Sequence, residues 1–297
     1  MFRNVLVGVN DADGGRDAIA LGTTLVARDG ELTLAHVYYQ SPPGPWRMAD
    51  VHVDQPERAR DLLGRARDEA GVRTHLRWRG APSVGRGLHE IAEIIDADLL
   101  VVGSSRRGLL GRVALGDDTR SALNGAPCAM AIAPAGYSNE STALMREIGV
   151  GYDGSPESEY ALGVAGILAT EMGAKLSAFQ AIAVPAYLAH GRTATDGIPL
   201  KQLVDDARAR IASHPGVEPH AAYGDPVEEL TLYSASLGLL VVGSRSYGPV
   251  ERLVHGSTAQ HLARTARSPL LVLTRSGRTA LMSVDSEDRL ETVSATS

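Results

Sequence analysis

LLVVGSRSYGPVERLVHGSTAQHLARTARSP, residues Leu239–Pro269, is the stretch on which the reading of this chain turns. It opens with four branched apolar residues that stop at Gly243. Such a run, bounded by glycine, suits a parallel strand covered on both faces. A glycine-bearing loop follows, and Gly256-Ser257-Thr258 then reads as a helix start. A serine hydroxyl at an N-cap can accept a bond from an N–H of the first turn. Those N–H groups and the positive end of the helix dipole also suit an anion such as a phosphate. The stretch occurs a second time as LLVVGSSRRGLLGRVALGDDTRSALNGAP, Leu99–Pro127. Gly103, Gly108, Arg112 and Gly116 align without a gap on Gly243, Gly248, Arg252 and Gly256, so the chain contains an internal repeat.

Each copy closes a longer cycle of alternating strand and helix patterns. In the first, strands are expected at 4–9, 31–38, 72–79, 98–103 and 129–133, with helices at 17–27, 57–70 and 83–95 between them. The second runs through strands at 147–152, 175–183, 217–223, 239–243 and 270–274, with helices at 155–172, 200–213 and 226–236. Strands alternating with helices of ten or more residues imply right-handed crossovers and a parallel sheet. Two tandem α/β domains are therefore expected, residues 1–136 and 146–275, each a doubly wound five-stranded parallel sheet of order 3-2-1-4-5. Polar residues 137–145 read as the linker. Residues 276–297 lack apolar periodicity and read as a disordered tail. In such sheets ligands sit at the carboxyl ends of the strands, at the switch point between strands 1 and 4.

Composition narrows the function. The 297 residues allow two domains, and 44% hydrophobic with 22% charged residues is a globular composition. A net charge of −6 argues against nucleic acid as the main partner. No apolar run approaches the ~20 residues of a membrane helix, and the start resembles no signal peptide. The expectation is a cytoplasmic chain with no membrane partner. The one cysteine, Cys128, excludes an internal disulfide and reads as a small residue filling a gap before a strand. Neither GxxxxGK[ST] nor GxGxxG occurs. His36 reads as structural, His255 has no partner at metal-ligand spacing, and no catalytic or metal-binding set is assignable. Arg245, Arg252 and His255 would flank the phosphates of any ligand in the second half, although on a loop such charges are more often merely solvated.

The end of the second half's first strand, VGYDGSPES, places Asp153 at a carboxyl end. Its carboxylate could hold a ribose hydroxyl or an adenine amino group, or bond local backbone N–H groups in a turn. Together with the VVGS strand end and the GST thirteen residues on, this segment resembles the universal stress protein family. Both halves match that family over nearly their full length. Its adenine-nucleotide subgroup has Gly, two residues, Gly, nine residues, then Gly and Ser or Thr. The first glycine would let the backbone turn tightly under the phosphates, and the second would allow close approach. The last Gly-Ser presents helix N–H groups and a hydroxyl.

The second half keeps this pattern as Gly243, Ser246, Gly256 and Ser257, with serine in place of the second glycine. The resemblance thus implies a nucleotide site at Asp153, Ala181, Val242, Gly243, Ser246, Gly248, Gly256, Ser257 and Thr258. The first half departs further and implies a degenerate site at Asn10, Val37, Gly103, Arg106, Gly116 and Asp117. Asp117 would cap its helix while placing a charge where phosphate should lie, with Asp118 beside it. Like charges about 4 Å apart repel by roughly 1 kcal/mol in water and about 4 at an effective dielectric near 20, or up to roughly a thousandfold in affinity. Arg106, Arg107 and Arg112 could compensate, or could pair with Asp117 and close the pocket.

The expected function is a stress-response protein binding ATP or AMP, with or without Mg2+, mainly in the second domain and without catalysis. An interaction scaffold that has lost nucleotide binding, or a slow ATPase, are the alternatives. Glu251 is the only acid the second loop offers an enzyme. The resemblance also implies an intramolecular pseudo-dimer in which the strands at 129–133 and 270–274 meet edge to edge, or a homodimer of chains.

Overall fold

A computed structural model describes residues 1–10, 13–40, 54–71, 73–104, 117–139, 145–183, 200–244 and 257–273. Strands β1 (Phe2–Gly8), β2 (Val26–Tyr39), β3 (His75–Ala81), β4 (Leu99–Gly103) and β5 (Ala129–Ala133) alternate with α1 (Asp13–Leu25), α2 (Gln55–Ala70), α3 (Val84–Ile94) and α4 (Asp117–Leu123). The cycle repeats as β6 (Glu147–Gly151), α5 (Pro156–Met172), β7 (Lys175–Ile182), α6 (Leu200–Ala212) and β8 (Val217–Tyr223). It closes with α7 (Pro226–Ser234), β9 (Leu239–Gly243), α8 (Ser257–Thr265) and β10 (Leu270–Leu273).

Local chemistry sets most of these limits. Ser83 caps α3 by accepting the Arg86 N–H at 3.3 Å, and Ser155 caps α5 by accepting that of Ser158 at 3.3 Å. Asp225 accepts the N–H groups of Val227 and Glu228 at 2.9 and 3.1 Å, and Pro226 follows where a missing N–H costs nothing. Gly71 and Gly173 end α2 and α5 in the left-handed region, at φ 63° and 64°. Helix α1 differs from expectation, starting four residues earlier and stopping at Leu25. Strand β2 takes over at once at β-branched Val26, and its register with β1 shifts between Phe2 and Asn4 to absorb the extra residues.

The ten strands form one sheet of order β3-β2-β1-β4-β5-β10-β9-β6-β7-β8. Every neighbouring pair is parallel except β5 and β10, which pair antiparallel with Leu271 opposite Ala131. The two five-stranded halves therefore merge, and their carboxyl ends lie on opposite rims of the sheet. Side chains alternate between two continuous cores. Ala129, Ala131, Ala133, Leu271 and Leu273 join the core under α1, α2, α5 and α6. Met130, Ile132, Leu270 and Val272 join the core under α3, α4, α7 and α8. Helices thus cover both faces, and Gln260 Nε2 donates to Asn124 Oδ1 at 3.1 Å, tying α8 to the residue that follows α4 across the seam. Cys128 is buried just before β5, and burial pushes its thiol pKa up to about 12.

Residues Tyr137–Asn139, at the start of the expected linker, form a 3-10 turn against α1. The buried Asp17 carboxylate holds it, accepting the N–H groups of Gly136 and Ser138 at 2.8 Å each and the Ser138 hydroxyl at 2.7 Å. The expected tail, residues 276–297, lies outside the described residues.

Candidate functional site

In the first half, β1, β2 and β4 bring Asn10, Val37 and Gly103 to one carboxyl rim. With Gly8, Leu88, Val102 and Thr119 among the other lining residues, they enclose a cavity of about 180 Å³. His36 closes it from the side and bonds the Val9 carbonyl oxygen through Nδ1 at 2.8 Å, a structural role. Thr119 of α4 donates its hydroxyl to the Gly103 carbonyl at 3.1 Å, tying the helix start to the strand end. Asp117 is the first residue of α4. Arg106 and Gly116 lie outside the described residues.

The second half repeats the arrangement. In both halves a Cβ added to the last residue of the first strand would meet the same pair. These are Leu88 and Val102 beside Gly8, and Leu230 and Val242 beside Gly151. The register of β6 with β7 and β9 sets Gly151, two residues before Asp153, between Phe179 and Val242. Helix α8 opens on Ser257 and Thr258, one position earlier than a Ser257 N-cap would give. Ser246, Gly248 and Gly256 lie outside the described residues. Asp153 takes the turn role that the sequence left open: Oδ1 accepts the Ser155 N–H at 3.0 Å.

The first glycine of each motif has a packing reason beside the expected one. Neither Gly103 nor Gly243 needs positive φ. A Cβ on Gly103 would stand 1.9 Å from the Gly14 carbonyl oxygen, and one on Gly243 would stand 2.5 Å from that of Glu157. The close approach at these positions is to the first turn of α1 or α5, which crosses directly over the strand end.

Three features escaped the sequence reading. Ser244, directly after Gly243, is buried at 3% exposure, and its hydroxyl has no hydrogen-bond partner among the described residues. The Gly-Ser common to both strand ends, Gly103-Ser104 and Gly243-Ser244, was the signal available for it. Second, Tyr152 donates its hydroxyl to Glu159, and His214 Nε2 lies 3.7 Å from that carboxylate. Burial, then the bond to Glu159 and its charge, push the Tyr152 pKa up to about 12, so the phenol remains a donor. Third, the Asp17 anchor joins residues too far apart in sequence to be paired by pattern.

A sequence description of the universal stress protein family matches this chain twice, over residues 1–134 and 145–274. The chain belongs to the universal stress protein family. A universal stress protein of Mycobacterium tuberculosis is 27% identical over 292 residues, covering 92% of this chain and 97% of that one. One from Mycolicibacterium smegmatis is 28% identical over 297 residues, with 91% and 96% covered. The crystal structure of a universal stress protein from Archaeoglobus fulgidus superposes with a TM-score of 0.64. It is 17% identical and covers 92% of this chain and 98% of its own, a likeness of fold alone. As a universal stress protein of two repeats, the chain carries two copies of one rim architecture with different chemistry at each. No helix among the described residues is long and apolar enough to cross a membrane.

Proposed function

We propose that this universal stress protein binds an adenine nucleotide, ATP or AMP, chiefly in its second half, and does not turn it over. The observation that carries the reading is Ser244. Its buried hydroxyl has no partner among the described residues, and a hydroxyl so placed loses its bonds to water, which costs about 1–3 kcal/mol. Its position, between Gly243 and the glycine loop, is where a phosphate oxygen would accept from it. The charges at the helix starts agree: α8 opens on Ser257-Thr258, α4 on Asp117-Asp118. Ala181 and Val242 would face the base, and Asp153, whose Oδ1 accepts the Ser155 N–H, would stand beside the ribose. Mg2+ would arrive with the phosphates, since no cluster of three His, Cys, Asp or Glu among the described residues could hold it.

Titration calorimetry with ATP and with AMP tests this. One site per chain is expected, and Ser244→Ala should weaken it roughly five- to tenfold, about 1–1.4 kcal/mol, without lowering the melting temperature. Two equal sites, or a Ser244→Ala variant that binds as tightly as wild type, would reject the assignment. The scaffold reading has one observation in its favour, the Asp153 carboxylate already serving a turn. It predicts no heat with either nucleotide.

A further inference from the structure

Each half lays a helix pair over the same face of the sheet, α1 and α2 in the first, α5 and α6 in the second. The two halves correspond residue by residue where the first strand passes into the first helix. Gly8 answers to Gly151, and Gly14, under Gly103, answers to Glu157, under Gly243. Val9 and Arg16 therefore stand where the second half has Tyr152 and Glu159. The backbone agrees: the Val9 N–H bonds the Ala35 carbonyl at 2.8 Å, and the Tyr152 N–H bonds that of Phe179 at 2.9 Å.

The second half fills the space between its two helices with a side chain. The Tyr152 ring is 4% exposed, donates its hydroxyl to Glu159 and stands edge-on to His214, with ring centroids 5.8 Å apart. His214 follows α6, so the ring bridges α5 and the end of α6. The first half lacks this plug. Val9 brings no ring, Arg16 replaces the carboxylate, and a cavity of about 1100 Å³ lies between α1 and α2. Protein interiors hold few voids larger than a water molecule. This one is as roomy as the larger small-molecule sites, which reach about 1,000 Å³.

The lining has an apolar wall and a cationic side. Val9, Ile19, Leu62, Ala66 and Ala70 form the wall. Thr23 and Thr24 beside them each return a hydroxyl to the carbonyl four residues back at 2.9 Å, so they ask for no polar partner. Glu69 and Asp13 both lean on Arg16, at 3.2 and 3.7 Å. Arg65, exposed on α2, also lines the cavity, and its guanidinium makes no hydrogen bond or ion pair among the described residues.

We propose that this cavity binds a small hydrophobic carboxylate, an aromatic ring or short acyl chain whose acid group meets Arg65. The repeat selects the class. Where the second half sets its own aromatic ring against a carboxylate, the first half leaves the ring's place empty and offers a guanidinium, so charge complementarity calls for an apolar body with an anionic head. The site is not the strand-end pocket. Val9, Ile19 and Leu62 belong to the core under α1 and α2, whereas Leu88 and Val102 of the strand-end pocket belong to the core on the other face.

Competition fluorescence on the full-length chain tests the proposal. Anilinonaphthalene sulfonate serves as reporter, phenylbutyrate as competitor and phenylbutanol as its uncharged match. One saturable reporter site per chain is expected, displaced more strongly by the acid than by the alcohol and untouched by excess ATP. Arg65→Gln should weaken phenylbutyrate by roughly threefold, the worth of a partly exposed ion pair, and leave the alcohol unchanged. Val9→Tyr joined to Arg16→Glu transfers the second half's plug. With an unchanged melting curve it should weaken reporter, acid and alcohol alike by roughly tenfold or more. The Arg65→Gln comparison decides the matter even where that double variant fails to fold. A chain without a displaceable site, or an Arg65→Gln variant that loses acid and alcohol equally or loses neither, would overturn the proposal. So would a folded double variant that binds like wild type. Displacement by ATP would do so too, moving the reporter to a nucleotide site.

Discussion

A Cβ on Gly103 would stand 1.9 Å from the carbonyl oxygen of Gly14, a distance at which one of the two backbones must move. The carboxyl end of β4 and the first turn of α1 therefore touch without a side chain between them. Gly243 repeats the relationship with Glu157, at 2.5 Å. Overpacking of this kind costs about 1–3 kcal/mol. Gly103→Ala should lie at the upper end of that range and Gly243→Ala lower, because the second contact is looser. Urea denaturation of both variants measures the order. Equal and negligible losses would mean that the helix starts shift freely.

Asp17 makes the next prediction. Its buried carboxylate accepts three bonds from Gly136 and Ser138 and so fixes the chain as it leaves β5. Asp17→Asn keeps the size but turns an amide NH2 towards donors and removes the charge that strengthens the bonds. A loss of about 1–3 kcal/mol is expected, with the amides of residues 136–138 exchanging faster than those of β5. If the variant unfolds at the wild-type urea concentration, water replaces these bonds without loss.

How far the sequence carried follows from the same residues. The paired LLVVG strands, the alternating helices and the proline and glycine limits are local patterns, and they were legible. The edge-to-edge seam entered through family likeness, and the register of Leu271 on Ala131 gives it a form. What stayed hidden depends on contacts distant in sequence. Gly103 and Gly14 are 89 positions apart, and Asp17 and Ser138 are 121 apart. No periodicity announces such pairs. Gly103 and Gly243, read from sequence as a tight turn under phosphates, also lie against the chain's own backbone, because a glycine in a motif has two explanations. Sequence alone does not say whether the close neighbour is a ligand or the chain itself.

Asp98 should leave a signature in pH. It accepts the N–H groups of Arg3 and Asn4 at 2.7 and 3.0 Å, yet burial outweighs these bonds and raises its pKa above the ordinary aspartate value. A raised folded pKa means that the native state binds the proton more tightly than the unfolded state does. The resulting stabilisation is full below the unfolded value near about 3.9 and is lost as pH rises through the folded value. Relative to the non-titrating Asp98→Asn variant, wild type should therefore gain stability as pH falls from 7 towards about 4.5. Urea midpoints of both proteins at several pH values give the difference, in which the other carboxylates cancel. A difference that is flat with pH would contradict a raised pKa.

The last prediction concerns the two helix starts, which the fold makes equivalent and the sequence makes chemically unlike. Helix α4 begins at Asp117 and α8 at Ser257, each following the glycine loop of its half. Ser257→Asp would give the second half the first half's own residue. Aspartate is as good a helix-start residue as serine and interacts favourably with the N-terminal dipole, so the melting curve should stay within about a degree of wild type. ATP affinity should nevertheless fall by roughly ten- to a thousandfold, since the new charge repels the phosphates by about 1 to 4 kcal/mol. AMP, with fewer phosphate charges, should lose less than ATP. The converse, Asp117→Ser, should create a weak first-half site only if Arg106 leaves the pocket open. Calorimetry beside thermal melting separates lost binding from misfolding. If Ser257→Asp binds ATP as tightly as wild type, no phosphate rests on the start of α8, and the scaffold reading takes precedence over the nucleotide one.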